Sequence, residues 1–171
     1  MLTIIVQGID DQVDATLNLE HSLSSVSKWE SEVQRPFFGK EQMTQDETSI
    51  YIKHMVLGEP PPGDWLKRLQ PTQFVEITDY INNKQTATWF REDPNQPASR
   101  EIVTTELVYY WMTQFNIPFE PCENWHLNRL MTLIKICGIK QTKQKPMNKK
   151  QQLEEYRRLN AQRRQQLGTS G

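Results

Sequence analysis

The chain has 171 residues, with 20 Lys+Arg against 21 Asp+Glu and a hydrophobic fraction of 36%. That length accommodates one domain, or one domain with a tail. No run approaches the ~20 consecutive apolar residues that a membrane span requires. Two cysteines, Cys122 and Cys137, are too few to staple a chain of this size, which favours a reducing compartment.

The near-neutral total conceals an asymmetry. Residues 1–138 carry a net charge of −8, and residues 139–171 carry +7. Apolar residues also thin out after Cys137, so the composition predicts an acidic folded body, 1–138, and a basic helix-prone arm, 139–171.

Leu2–Val6 is β-branched and uncharged and reads as a strand rather than a secretory leader. Ala15–Glu20 alternates apolar and polar, the period of a half-buried strand, and the two segments can pair as an antiparallel hairpin. From Ser22 the period becomes helical, with Leu23, Val26, Trp29 (or Glu30) and Val33 on one face and Pro36 as the stop. Thr44-Gln45-Asp46-Glu47 is a capping box that opens a second helix, with Ile50, Tyr51, His54 and Met55 inward and Gly58 closing it.

Asp64 is expected to cap a short turn from Trp65 to Leu69. Pro71 then suits a helix N1 position, with Phe74, Ile77 and Ile81 following at helical spacing and Asn82-Asn83 as the stop. Thr86–Phe90 reads as extended, and Arg91–Ala98 as a surface loop. Ser99 is expected to cap a helix whose stripe is Ile102, Val103, Leu107, Tyr110, Trp111 and Phe115, broken by Ile117-Pro118-Phe119. The last body helix is expected from about Asn124 to Cys137, with Trp125, Leu127, Leu130, Met131, Ile134 and Cys137 apolar nearly all round and Gly138 as its left-handed stop. In the arm, Asn148 can cap a helix over roughly 149–167. The fold class is therefore mainly α with a small N-terminal β element (α+β), a compact helical body plus a basic C-terminal helical arm.

Cys122, Glu123 and His126 have the spacing to begin a metal site, but the missing ligands would have to be Cys137, His54 or His21, and no paired spacing recruits them. Cys137 then packs as a small hydrophobe. His21 and His126 read as buried hydrogen-bonding residues rather than bases. The sequence has no Gly-x-Ser-x-Gly elbow and no phosphate-cradling glycine pattern. Carboxylates such as Asp10-Asp11-Asp14 and Glu92-Asp93 fall in expected loops. The reading is a protein without enzymatic activity, cofactor or metal.

The arm needs more than a packing account. Its Lys and Arg residues could meet phosphates with strong salt dependence, yet its one aromatic, Tyr156, serves base stacking poorly, so nucleic acid is disfavoured. Leu153, Tyr156, Arg157, Leu159, Arg163 and Arg164 suit an induced helix lying on a partner protein or on a neighbouring copy.

Several segments together carry a resemblance. They are Leu19–Leu23 running into Ser27–Ser31, Thr86–Phe90, Ser99–Val103, Tyr109–Met112, Asn116–Phe119, Trp125–Leu130 and Leu159–Arg164. In this order they resemble a family of small tailed-bacteriophage proteins and are most similar to those identified as tail assembly chaperones. The resemblance implies a non-virion protein of the host cytoplasm that keeps the long helical tape-measure protein soluble and recruits tail-tube subunits around it. It also implies protein partners; a homo-oligomer is among the arrangements the arm allows, and the composition leads to an expectation of no membrane association. The alternative it leaves open is a structural virion component such as a head–tail connector or tail terminator protein.

Overall fold

A computed structural model describes residues 1–8, 14–90 and 101–144 and, within the arm, Leu153, Tyr156 and Arg157. The fold is α+β, with a three-stranded antiparallel sheet at the N-terminus and helices making up the rest. The chain divides into two compact units, Met1–Lys135 and Ile136–Gly171.

Strand β1 (Leu2–Val6) pairs antiparallel with β2 (Ala15–Leu19), Leu2 opposite Leu19 and Val6 opposite Ala15. This is the expected hairpin, its loop lying outside the described residues. The two-residue period sends Ile4, Val6, Leu17 and Leu19 into the core, while Thr3, Ile5 and Thr16 face outward. A third strand absent from the sequence reading, β3 (Val56–Leu57), pairs with β2 on its far side. Its two residues are too few to show a period.

The outer edge of β1 is closed at two points by side chains rather than by another strand. Gln73 Nε2 donates to the Ile5 carbonyl at 2.6 Å, and Arg68 Nη1 donates to the Gln7 carbonyl at 2.7 Å. Such closure blunts an edge that would otherwise template pairing with another chain.

Helix α1 (Leu23–Val33) starts at the Ser22 cap, whose hydroxyl accepts the Ser25 N–H while Ser25 Oγ accepts the Ser22 N–H. It ends at Gln34, in the left-handed region with φ 59°, two residues before Pro36. Helix α2 (Gln45–Met55) opens on the Thr44/Glu47 capping box, as the sequence predicts. Tyr51, Ile52 and Met55 are its buried residues; Ile50 and His54 are only half-buried. α1 packs against α2 and against the later helix Thr105–Gln114, and Trp29 is fully buried with its indole N–H donating to the Glu47 carbonyl at 2.9 Å.

A single 3-10 turn (Trp65–Arg68) follows, but the Asp64 side chain does not cap it. Asp64 instead pairs with Lys67 at 2.8 Å on the surface. Helix α3 (Pro71–Asn82) begins with proline as expected and lies on β1, yet only Ile77 is buried and Phe74 is exposed. Thr86–Phe90 is not a strand, because it has no ladder to join. Its aromatics sit under lysines instead, Lys84 over Trp89 at 4.0 Å and Lys135 over Phe90 at 4.3 Å.

Helix α4 (Thr105–Gln114) starts later than expected; Ser99 lies outside the described residues, and Ile102 is 65% exposed ahead of the helix. Its buried face is Thr105, Val108 and Met112, rotated from the predicted stripe. The cause is a tertiary cap. Glu30 of α1 accepts the Thr105 N–H, and this fixes both where the helix starts and which face turns inward. A short α5 (Phe119–Cys122) follows the Ile117-Pro118 break.

Helix α6 (Leu127–Gln144) contains the expected Leu127, Leu130 and Ile134 as buried residues, whereas Trp125 precedes it. Gly138 does not stop it. A helix-interior glycine costs about 1 kcal/mol relative to alanine. The residues after it, Ile139-Lys140-Gln141-Thr142, contain no breaker, and Thr142 Oγ1 bonds back to the Gly138 carbonyl at 2.9 Å. No helix among the described residues is long and apolar enough to cross a membrane.

Candidate functional site

Three features are candidates: a buried polar cluster, an exposed acidic and aromatic face, and the arm.

The polar cluster forms where the β2–α1 junction meets the end of α3 and the start of α6. The Leu127 N–H, an orphan donor of the α6 first turn, donates to the His21 carbonyl at 2.7 Å. The Asn128 N–H donates to His126 Nδ1 at 3.3 Å, so the imidazole caps the helix. His126 Nε2 lies 3.0 Å from the Tyr80 carbonyl. A carbonyl can only accept, so these two partners fix the neutral tautomer with the proton on Nε2. Asn128 Nδ2 reaches the carbonyls of Ile81 and Asn83 at 3.1 and 2.8 Å, satisfying acceptors that the end of α3 leaves open.

His21 stands edge-on to His126 with ring centroids 5.1 Å apart, and its Nδ1 meets the Tyr51 hydroxyl. Burial, then the neighbouring His126, lowers the His21 pKa to about 3. Burial also lowers that of His126 and raises that of Tyr51. Both imidazoles are therefore neutral at pH 7, and His21 Nδ1 shares a hydrogen bond with the Tyr51 hydroxyl. Glu20 completes the group: it accepts the Tyr80 hydroxyl at 2.5 Å, and the Met1 amino group lies 2.7 Å from its other oxygen. This wiring joins five segments of the fold and leaves His126 without a free ring nitrogen to act as a base.

Sequence reasoning anticipated His21 and His126 as buried hydrogen-bonding residues but not their partners. Cys122, Glu123 and His126 do not assemble into a metal site. Cys122 is buried, Glu123 accepts the Tyr109 hydroxyl at 2.9 Å, and His126 is saturated as described. Among the described residues no group of three His, Cys, Asp or Glu could hold a metal ion. Both cysteines are free thiols, and Cys137 is half-buried.

The second candidate was not anticipated as a surface. From Glu101 to Asn128 the sequence has four Glu and no Lys or Arg. On α4, Glu106 and Tyr110 are exposed one turn apart, and Tyr110 is 56% exposed. Past the helix end, Phe119 is 45% exposed with its ring edge-on to Tyr109 at 5.2 Å, followed by exposed Glu120. Exposed aromatic groups and carboxylates thus occur together on α4 and at the start of α5, linked through the Tyr109–Phe119 ring contact.

In the arm, Leu153, Tyr156 and Arg157 are helical and exposed, Leu153 by 53% and Tyr156 by 66%. Their spacing puts all three on one helix face. Leu159, Arg163 and Arg164 lie outside the described residues.

Compared with protein-family models, with curated proteins and with solved structures, the chain matches none.

Proposed function

We propose that this chain is a non-enzymatic assembly chaperone of a phage tail, working in the host cytoplasm by binding the tape-measure protein and promoting tail-tube assembly around it. The observation that carries the reading is the exposed Leu153–Tyr156–Arg157 face of the arm, where an aliphatic, an aromatic and a cation share one side of a helix. A tape-measure chain is a long helix with apolar stripes that aggregates if left bare. Helical faces of mixed apolar and basic character cover such stripes through i, i+3 and i+4 anchors without demanding one sequence.

The interior supports the same reading. His126, Glu20 and Glu30, polar groups that a catalytic site would leave available, are engaged in caps and tertiary hydrogen bonds. The segment resemblance to tail assembly chaperones supplies the biological setting.

The test is fractionation of an infected or co-expressing cell. The chaperone reading expects this chain with the tape-measure protein and tail-tube subunits in assembly intermediates, and its absence from purified particles. A fixed stoichiometric amount in purified particles would overturn it in favour of a connector or terminator.

A further inference from the structure

We infer that the α4–α5 face of one copy, centred on Glu106, Tyr110, Phe119 and Glu120, receives the basic arm helix of a second copy through its Leu153–Tyr156–Arg157 side. The inference concerns the purified chain alone; the arm face it uses is the one the tape-measure reading uses, so the two occupants exclude each other and a tape-measure protein displaces the second copy.

Two halves of a complementary pair are present in one sequence. The segment 101–128 has a net charge of −4 with no cation, and residues 139–171 have +7 with two acids, Glu154 and Glu155. The charges are matched by apolar groups on both sides. In chain order exposed Tyr110 and Phe119 fall between exposed Glu106 and Glu120, while Leu153 and Tyr156 present aliphatic and aromatic surface beside Arg157. Lys149 and Lys150 precede this group in the sequence, and Arg158 follows it.

An aromatic centre with a charged rim is the arrangement that binding surfaces favour: the rings supply the energy, and opposite charges set register and speed encounter. Rim pairs of this kind weaken with salt because they stay partly solvated. The face is also rigid. Glu30 fixes the first residue of α4, and Tyr109 is held by Glu123 on one side and Phe119 on the other. Docking there therefore orders little beyond the incoming helix.

The experiment is sedimentation velocity on the full-length protein over a range of concentrations at low and high salt. The expected result is a species heavier than the 20.2 kDa chain that grows with concentration at low salt and recedes at high salt. Tyr110→Ser and Phe119→Ser should each weaken association by roughly tenfold or more. Because Tyr110 is exposed, Tyr110→Ser should leave the melting temperature unchanged, which separates lost binding from lost folding; Phe119→Ser also removes the ring against Tyr109 and is read beside it. Arg157→Glu with Arg158→Glu should weaken association, as should Glu106→Lys with Glu120→Lys. The combined four-site charge swap should restore it.

A chain that stays monomeric at every concentration and salt would overturn the inference. So would association indifferent to Tyr110 and Phe119, which would place the interface elsewhere. A charge-dependent change of shape that is independent of concentration would also overturn it, by showing the arm on its own chain.

Discussion

The Glu30 carboxylate accepts the Thr105 backbone N–H at 2.8 Å and the Thr105 hydroxyl at 2.5 Å, joining two helices 75 positions apart in sequence. Its other oxygen accepts the Phe37 N–H at 2.7 Å. One buried carboxylate thus caps α4 and holds the chain as it leaves α1. A carboxylate near a helix N-terminus is favoured by the dipole and by the orphan amides there.

Glu30→Ala removes the acceptor and strands two backbone donors. The expected loss is about 2–4 kcal/mol in urea unfolding. Glu30→Gln keeps one carbonyl oxygen and should lose less. Equal destabilisation by the two variants would mean that the site needs the charge rather than the acceptors.

Stability should fall with acid through the two imidazoles. His21 and His126 have folded-state pKa values below the ordinary 6.5, that of His21 at about 3. Below pH 6.5 the unfolded chain takes up protons that the folded chain refuses. Stability is therefore complete above that pH and is lost as pH falls below it, for His21 down to about 3. Each imidazole that stays neutral contributes a slope of about 1.4 kcal/mol per pH unit in that window. Denaturant titrations at pH 7.5, 6, 5 and 4.5 read the slope, and His126→Gln should flatten it. A wild-type profile that is level from 7.5 to 4.5 would contradict the buried neutral pair.

Two backbone positions should respond in opposite directions. Gln34 holds a left-handed conformation, φ 59° and ψ 37°, in which a Cβ is strained. Gln34→Gly should stabilise by about 0.5 kcal/mol, the relief being partly offset by greater freedom in the unfolded chain. Gly58 has φ +84° with nothing within 4 Å of where a Cβ would stand. Gly58→Ala meets no clash, so its expected cost of about 1 kcal/mol is backbone strain alone. Thermal melts of the two single variants suffice to check the signs.

The capping residues provide a further contrast. Thr44→Ala should cost about 1 kcal/mol, because its hydroxyl accepts the Glu47 N–H. Asp64→Ala should leave stability unchanged, since its carboxylate makes no cap and pairs with Lys67 only at the surface. A larger effect at Asp64 than at Thr44 would reverse this assignment of the two caps.

What was legible in the sequence was local. The Thr44 box, the change of period at Ser22, Pro71 at N1 and the alternation of β2 are each encoded within a few residues, and they set four elements where expected. The errors came where distant residues decide. α4 starts at Thr105 because Glu30 caps it, which no window around Ser99 can reveal. Helix α6 passes Gly138 because Ile139-Lys140-Gln141-Thr142 contains no breaker. The third strand exists only because β2 has a free edge to pair. The histidines illustrate the same limit: their burial was expected, but Tyr51, Tyr80 and Asn128 come from separate elements.

Under the proposed function, this chain keeps a tape-measure protein soluble through its arm. The most direct measurement is co-expression of the full chain with the tape-measure protein of its own genome, scored by the soluble fraction and by co-elution. The account predicts a soluble complex containing several copies of this chain. It also predicts loss of the complex on Leu153→Ser with Tyr156→Ser while the body melts as before. A tape-measure protein that stays insoluble while this chain elutes alone would contradict it.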